Sequence, residues 1–337
     1  MCGFSGIFQA RNSDLASIIT RMNDALVHRG PDDRGVWVDE NAGLALGHRR
    51  LAIVDLSEAG HQPMHSSCGR FLIVFNGEIY NHTELRQKLD NEGLSPPAWR
   101  GHSDTEVLLA GLAGWGVEKT LQASVGMFAF ALWDRQEQVL TLARDRMGEK
   151  PLYYGWQEDT LLLGSELKAI KAFPQFTGEV DRNALTLLLR HNCIPAPYSI
   201  YKGIAKLEPG HYVTLALKNL PAAKAAVPQA YWRLNDAVAK GIADPFKGTP
   251  AQATDLLETQ LSSSIGQQML ADVPLGAFLS GGVDSSTIVA LMQAQSAQPI
   301  RTFTIGFDEG GYDEAVHAKA VSKHLGTQHT ELYVRPD

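Results

Sequence analysis

A cysteine stands at position 2, directly behind the initiator methionine. Removal of Met1 would leave one residue carrying both a thiol and a free α-amine. A thiol with a pKa near ~8.5 can pass its proton to an amine near ~7.8 at neutral pH without help from a histidine. The opposing reading is that Cys2 is a small buried hydrophobe, as most cysteines are. The groups such a nucleophile would need lie in the next hundred positions. Asn76 and Gly77 (in FNGEIYNH) come where the apolar run FLIVF is expected to end in a loop, and a side-chain amide beside a glycine N–H is the donor pair of an oxyanion hole. Asn-Gly is also the commonest hairpin turn, so that reading stays open. Arg50, at the end of GHRR, can clamp a carboxylate bidentately, while Glu78 and Asp104 can receive an ammonium group. One arginine and two acids would read both charged ends of an amino acid. The plainer alternatives are a solvated surface Arg50 and an Asp104 that caps a helix or sits as an acid in its first turn.

A second candidate site lies at 280–286, SGGVDSS, between an apolar strand (PLGAFLS) and a helix. Gly281, Gly282 and the first-turn N–H groups would face phosphate oxygens there, with Ser280, Ser285 and Ser286 adding hydroxyl donors. No lysine follows the glycines, so this is not the loop of ordinary nucleotide hydrolases. Asp284 is the informative residue. A carboxylate among phosphates is repulsive unless a divalent cation lies between them, which implies Mg²⁺. For Ser-Gly-Gly alone, a capped turn is an equal reading.

His61, His65 and Cys68 have a spacing that invites a zinc reading, but no fourth ligand accompanies them and the intervening Pro and Ser suit a plain loop. The charged stretch Arg144-Asp145-Arg146 with Glu149 and Lys150 reads as structural, or as a solvated turn.

These residues need a scaffold. Short strands fit residues 2–9, GVWV, GLALGHRR, RFLIVFNG, MFAFALW and QVLTLARD, the last two joined as a hairpin through DRQE. Helices fit DLASIITRMNDALVHRG, HTELRQKLDNEG and SDTEVLLAGLAGWG. Hairpins with interposed helices imply an α+β domain of antiparallel sheets covered by helices. Around 217–250 the composition turns to Ala, Pro, Lys and Gly and reads as a surface connection, which puts a domain boundary near 235: one domain over 1–235, a second over 236–337. In the second, helices alternate with the strands PLGAFLS, RTFTIGF and HTELYV, the pattern of βαβ crossovers and a parallel sheet. Three such strands would leave an open edge.

At 337 residues two domains are expected, and 44% hydrophobic with 20% charged residues describes a globular chain. The formal charge of -7, with no basic run, argues against a nucleic-acid partner, so phosphate chemistry must be local. No apolar stretch approaches the ~20 residues of a membrane helix, and MCGFSGIFQARNSD has no signal-peptide core. With three cysteines and no CxxC spacing, the expected setting is cytoplasmic.

Taken together, Cys2-Gly3, HRGPDD (28–33), RRLAIVD (49–55), FNGEIYNH (75–82), HSDTEV (102–107), GMFAFALWD (126–134) and ARDRMGEKPLYY (143–154) resemble the class II glutamine amidotransferase domain, an N-terminal-nucleophile glutaminase with a layered αββα fold. The resemblance implies that Cys2 attacks the glutamine side-chain amide while its α-amine shuttles the proton. It implies that Asn76 and Gly77 hold the oxyanion and that Arg50, Glu78 and Asp104 bind the two ends of glutamine. Main-chain groups of Leu51, Ile53 and Val54 would line the pocket. SGGVDSS resembles the pyrophosphate loop of N-type ATP pyrophosphatases, which implies ATP as substrate and places Leu279, Thr304 and Ile305 at the adenine. A glutaminase followed by this loop is similar to the glutamine-hydrolysing asparagine synthetase family. Ammonia would then amidate a β-aspartyl-adenylate, and a homodimer is an assembly the resemblance allows.

Family members continue well past HTELYVRPD, so residues 1–337 are expected to hold only the first part of the ligase half, as a fragment or a shortened protein. Two further readings keep the first domain but change the outcome. The acceptor is a different carboxylate, such as a sugar acid in polysaccharide assembly; or the chain is a glutamine-binding or ammonia-supplying module without ligase activity. β-Lactam synthetases lack the thiol, and sugar-phosphate amidotransferases lack SGGVDSS.

Overall fold

The computed structural model describes residues 1–9, 14–307 and 313–335, which form two compact units, Met1–Ile242 and Ala243–Asp337. In the first unit, six strands make one sheet: β1 (Gly3–Gln9), β2 (Asp33–Asp39), β3 (Leu44–Arg50), β8 (Tyr153–Gln157), β9 (Thr160–Gly164) and β10 (Ile204–Lys206), in the order β10-β8-β9-β1-β3-β2. Six more make the other: β4 (Met64–His65), β5 (Phe71–Ile79), β6 (Gly126–Asp134), β7 (Val139–Arg144), β11 (His211–Ala216) and β12 (Gln229–Ala230), in the order β12-β11-β7-β6-β5-β4. The pairings within both are antiparallel.

Side-chain alternation decides which face each residue joins. Phe4 and Phe8 of β1, Leu44 and Leu46 of β3, and Leu72 and Val74 of β5 share one buried cluster between the sheets. The opposite parity faces outward. Ile7 and Leu162 pack under α1 (Leu15–Asp24). Ile73, Phe75, Phe128 and Phe130 pack under α2 (His82–Asn91) and α3 (Asp104–Gly114). α3 is buried on nearly every side because α2 and α4 (Val117–Ala123) both lie against it. The result is the layered αββα arrangement expected from the resemblance. α5 (Leu167–Lys171) follows β9, and α6 (Arg182–His191) precedes β10.

One expectation changes and one open alternative is resolved. The segment after 217 is not a bare connection: α7 (Leu220–Lys224) is capped by the Asn219 side chain, Ala223 and Leu217 are buried in the inter-sheet cluster, and β12 adds to the sheet edge. Alanine and proline composition resembles a linker, but a small side chain at 223 is what close packing there admits. α8 (Leu234–Ala243), by contrast, has no buried residue. For the 144–150 stretch the solvated-turn reading falls and the structural one stands, with only Met147 and Glu149 exposed among these residues. Asp145 is fully buried and accepts from the N–H groups of Phe128, Met147, Glu149 and Lys150, and Arg144 donates to the carbonyls of Gly148, Lys150 and Leu207.

In the second unit, β13 (Gly276–Phe278), β14 (Arg301–Phe307) and β15 (Gln328–Val334) form a parallel sheet, with α10 (Val283–Ala294) and α11 (Ala315–Leu325) as crossovers. α9 (Pro250–Gln268) starts four residues before the apolar pattern does, because Thr249 and Gln252 form a reciprocal capping box and Pro250 suits the first turn. The sheet's open character lies in a face as well as an edge: Phe278 (79%), Ile305, Phe307 and Leu332 are exposed. Among the described residues, no helix is long and apolar enough to cross a membrane.

Candidate functional site

Register brings the first site together. Gly3 pairs with Arg49, so Cys2 falls opposite Arg50 at the end of β1 and β3. The chain then turns, and Leu51 meets the thiol from both main-chain sides: its N–H donates to Cys2 Sγ at 3.4 Å and its carbonyl lies 3.5 Å from the same sulfur. By parity Cys2, Arg50, Asn76 and Glu78 all belong to the inner faces of the sheets, at their common end.

Asn76 and Gly77 do not lie in a loop. β5 runs on to Ile79, pairing Asn76 with Ala129 and Gly77 with Phe128, so the hairpin-turn reading is overturned. The requirement for glycine is steric: a Cβ at 77 would sit 2.2 Å from the Met127 carbonyl oxygen and 2.6 Å from Phe128 Cα. Phe128 spends its own N–H and carbonyl on Asp145, which makes Gly77–Phe128 a non-hydrogen-bonded pair. The Gly77 N–H therefore points to the opposite edge of β5. There its neighbours of equal parity are met by side chains, Phe75 N–H by Gln62 Oε1 at 2.6 Å and Ile79 N–H by Asp104 Oδ2 at 2.8 Å. Beside them the Asn76 carboxamide is 1% exposed, and neither its Nδ2 nor its Oδ1 has a hydrogen-bond partner among the described residues. A buried carboxamide left unpaired costs on the order of 1–3 kcal/mol, so this group is held for something other than the resting fold.

Arg50 is buried, which rules out the solvated-surface reading. Its guanidinium donates to the carbonyls of Ser57 (3.1 Å), Val54 (3.4 Å) and Asp55, and a Cβ at Gly60 would collide with it. It thus shapes the loop that holds Leu51, Ile53 and Val54, the last two half-buried. Asp55, with φ of 56°, accepts from Ser57 and from the His102 N–H at 2.9 Å, tying this loop to the approach to α3. Asp104 opens α3 behind the Ser103 N-cap and is not itself the cap.

Cys2, Glu78, Asp104 and Lys150 are each driven toward their neutral forms. Burial pushes the Cys2 thiol up, partly opposed by the Leu51 N–H, and lowers the N-terminal amine, which in this chain is that of Met1. Burial also raises Glu78, and the neighbouring Asp104 raises it further. Asp104 itself is raised by burial against the Ile79 hydrogen bond. Lys150 is lowered by burial and held up by Glu78. Two acids facing one space with raised pKa values make a site that an ammonium group would relieve.

Sequence reasoning passed over Gln62, Asp55 and His48. His48 Nε2 donates to the Phe75 carbonyl at 2.9 Å, burial pushes its pKa down to about 4, and its Nδ1 is unpartnered. His61 Nδ1 is bound to Asp33 at 2.7 Å and Cys68 Sγ to Ser66 at 3.3 Å. Among the described residues no three His, Cys, Asp or Glu cluster as metal ligands.

In the second unit, Gly281 has φ of 80° and a Cβ there would lie 2.6 Å from His317 Cβ, so only glycine admits both the turn and the approach of α11. Gly282 is the N-cap of α10 without a side-chain cap, which leaves first-turn N–H groups open. Ser280 and Ser285 bond each other at 2.9 Å, and Ser286 Oγ is buried with no hydrogen-bond partner among the described residues. Asp284 is exposed in the first turn. Thr304 spends its hydroxyl on the Leu279 carbonyl, joining β14 to the end of β13, while Ile305 is half-exposed on the other face.

Residues 1–232 match the glutamine amidotransferase domain family and residues 256–337 the asparagine synthase family. The chain is 36% identical to a putative glutamine-hydrolysing asparagine synthetase of Methanocaldococcus jannaschii, across 99% of this chain and 65% of that protein. It is 35% identical to glutamine-hydrolysing asparagine synthetase 1 of Bacillus subtilis, across 100% of this chain and 51% of that protein. It therefore spans between half and two thirds of these relatives. A solved glutamine phosphoribosylpyrophosphate amidotransferase of B. subtilis is similar in fold, with a TM-score of 0.50 at 16% identity over 100% of this chain and 69% of that one.

Proposed function

The chain belongs to the glutamine amidotransferase domain family, with an asparagine synthase segment behind it, and from that premise we propose that Cys2 hydrolyses glutamine to supply ammonia to an ATP-dependent ligation. The observation that carries the glutaminase is the unpaired, buried Asn76 carboxamide beside the edge-facing Gly77 N–H. With Met1 removed, the Cys2 sulfur attacks the side-chain amide carbon of glutamine and its proton passes to the α-amine. Burial disfavours the thiolate, so the proton moves to the α-amine as the S–C bond forms. The oxyanion takes Asn76 Nδ2 and the Gly77 N–H as donors. The protonated amine returns its proton to the departing nitrogen, ammonia leaves, and water cleaves the glutamyl thioester. Glu78 and Asp104 take the substrate ammonium, and Arg50 the carboxylate.

At the second unit, the open N–H groups after Gly282 with Ser280, Ser285 and Ser286 would hold the pyrophosphate of ATP, and aspartate would form a β-aspartyl-adenylate from which ammonia displaces AMP. Mg²⁺ fits Asp284: a single exposed carboxylate beside a phosphate loop is how that ion binds, completing its shell with phosphate oxygens and water. It would supply charge neutralisation between carboxylate and phosphates. Three free cysteines suit a reducing, cytoplasmic setting, and a homodimer belongs to the same reading.

The test is glutamine hydrolysis by the wild-type protein, by Cys2→Ala and by protein with a residue blocking the Cys2 amine. Both changes are expected to abolish it. Full activity with a blocked amine refutes the proton relay. Asparagine and AMP from aspartate, ATP and glutamine identify the acceptor.

A further inference from the structure

The N-terminal residue is held by a clamp that none of these steps uses. Arg29, in the turn after α1, is 8% exposed, and its Nε donates to the Cys2 carbonyl at 2.8 Å. Its Nη1 donates to Glu166 Oε1 at 2.8 Å, and Nη2 lies 3.9 Å from Met1 Sδ. Glu166 sits between β9 and α5. His28 Nε2 is 3.1 Å from both its oxygens, and Lys168 Nζ is 3.7 Å from Oε2. The arginine stem runs against bare backbone, since a Cβ at Gly3 would stand 3.0 Å from Arg29 Cδ.

A guanidinium is a rigid planar fork, so fixing one edge orients the other. Glu166 fixes the outer edge and thereby the N–H that holds the Cys2 carbonyl. That carbonyl and the Gly3–Arg49 pairing both restrain the backbone at Cys2. We infer that Glu166 is a positioning residue for the N-terminal nucleophile, acting through Arg29 to orient the backbone from which both thiol and α-amine project. This rests on Cys2 being the nucleophile. Without the carboxylate, the buried guanidinium loses its counter-charge and is drawn toward solvent, releasing Cys2.

The experiment compares glutamine hydrolysis by wild type, Glu166→Gln, Glu166→Asp, Arg29→Lys and the Glu166→Gln/Arg29→Lys double variant. A misdirected nucleophile lowers kcat on the order of tenfold to a hundredfold. The expected result for Glu166→Gln is that loss with KM within about threefold of wild type, partial recovery in Glu166→Asp, and a double variant no worse than the poorer single. Wild-type kcat in Glu166→Gln, a loss confined to KM, or losses that multiply in the double variant would each overturn the inference. Should Glu166→Gln not fold, Glu166→Asp against Arg29→Lys decides by the same kcat and KM criteria. Hydrolysis that survives Cys2→Ala instead refutes the nucleophile assignment, a failure separable from that of Glu166.

Discussion

Replacing Asn76 by leucine should make the protein more stable and nearly inactive at once. The side chain lies at 1% exposure with both polar atoms unpaired, in line with Leu72 and Val74 on the inner face of β5. Leucine keeps the branch and replaces the two polar atoms by methyl groups. Relief of the unpaired carboxamide contributes about 1–3 kcal/mol, less whatever the slightly larger methyls cost in packing. For a unit of this size each kcal/mol moves Tm by about 2–4 °C, so a rise of up to about 12 °C, reduced by any packing cost, is expected by calorimetry. The same change removes an oxyanion donor, which lowers kcat on the order of 10²–10³-fold, about 3–4 kcal/mol, with KM little altered. Falling stability together with falling activity would show that Asn76 is satisfied in the resting protein. Undiminished kcat would remove it from the oxyanion site.

His48 contributes a pH dependence of known sign. Its folded pKa of about 4 lies below the ordinary 6.5, so the unfolded chain binds the extra proton between those values. Its contribution is complete above about pH 6.5 and is lost as pH falls toward 4, about 3 kcal/mol over that range. His48→Gln, which keeps an N–H for the Phe75 carbonyl, should flatten urea-derived stability across that window; an unchanged slope would show that another group is responsible. Asp145→Ala strips the acceptor from four N–H groups and should cost about 3–5 kcal/mol in denaturant unfolding. Gly281→Ala forces a left-handed φ and a 2.6 Å contact on α11, and should weaken ATP binding by calorimetric titration while leaving glutamine hydrolysis within about twofold.

The first site was legible in the residues proposed to carry its chemistry and obscure in those that support them. Cys2, Asn76 and Asp104 stand out because thiols, amides and acids at loop-like boundaries are few. Asp55 does not, because its work depends on a φ of 56° that no composition announces. Gln62 and His48 act by reaching the Phe75 main chain, a contact between residues 13 and 27 positions apart. Asn-Gly misled in one respect: it signals a turn when read locally, whereas here Asn76 and Gly77 continue a strand whose neighbour leaves no space for a Cβ. The 217–231 segment misled similarly, since Ala223 is buried in the inter-sheet cluster and Ala226 packs against it.

By itself the order of residues determined the chemical inventory: a thiol next to the chain start, an amide-glycine pair, an arginine with two acids, and a glycine-serine loop ahead of a helix. It also determined the layer pattern, because period-two alternation marks which side of each strand is apolar. Only the tertiary structure decided which groups are spent and which are free. Thr304 spends its hydroxyl on the Leu279 carbonyl, while the polar side-chain atoms of Asn76 and Ser286 Oγ are buried without a hydrogen-bond partner among the described residues. That distinction arises from register and burial, which depend on partners far apart along the chain and set both the desolvation of each group and the acceptors within its reach.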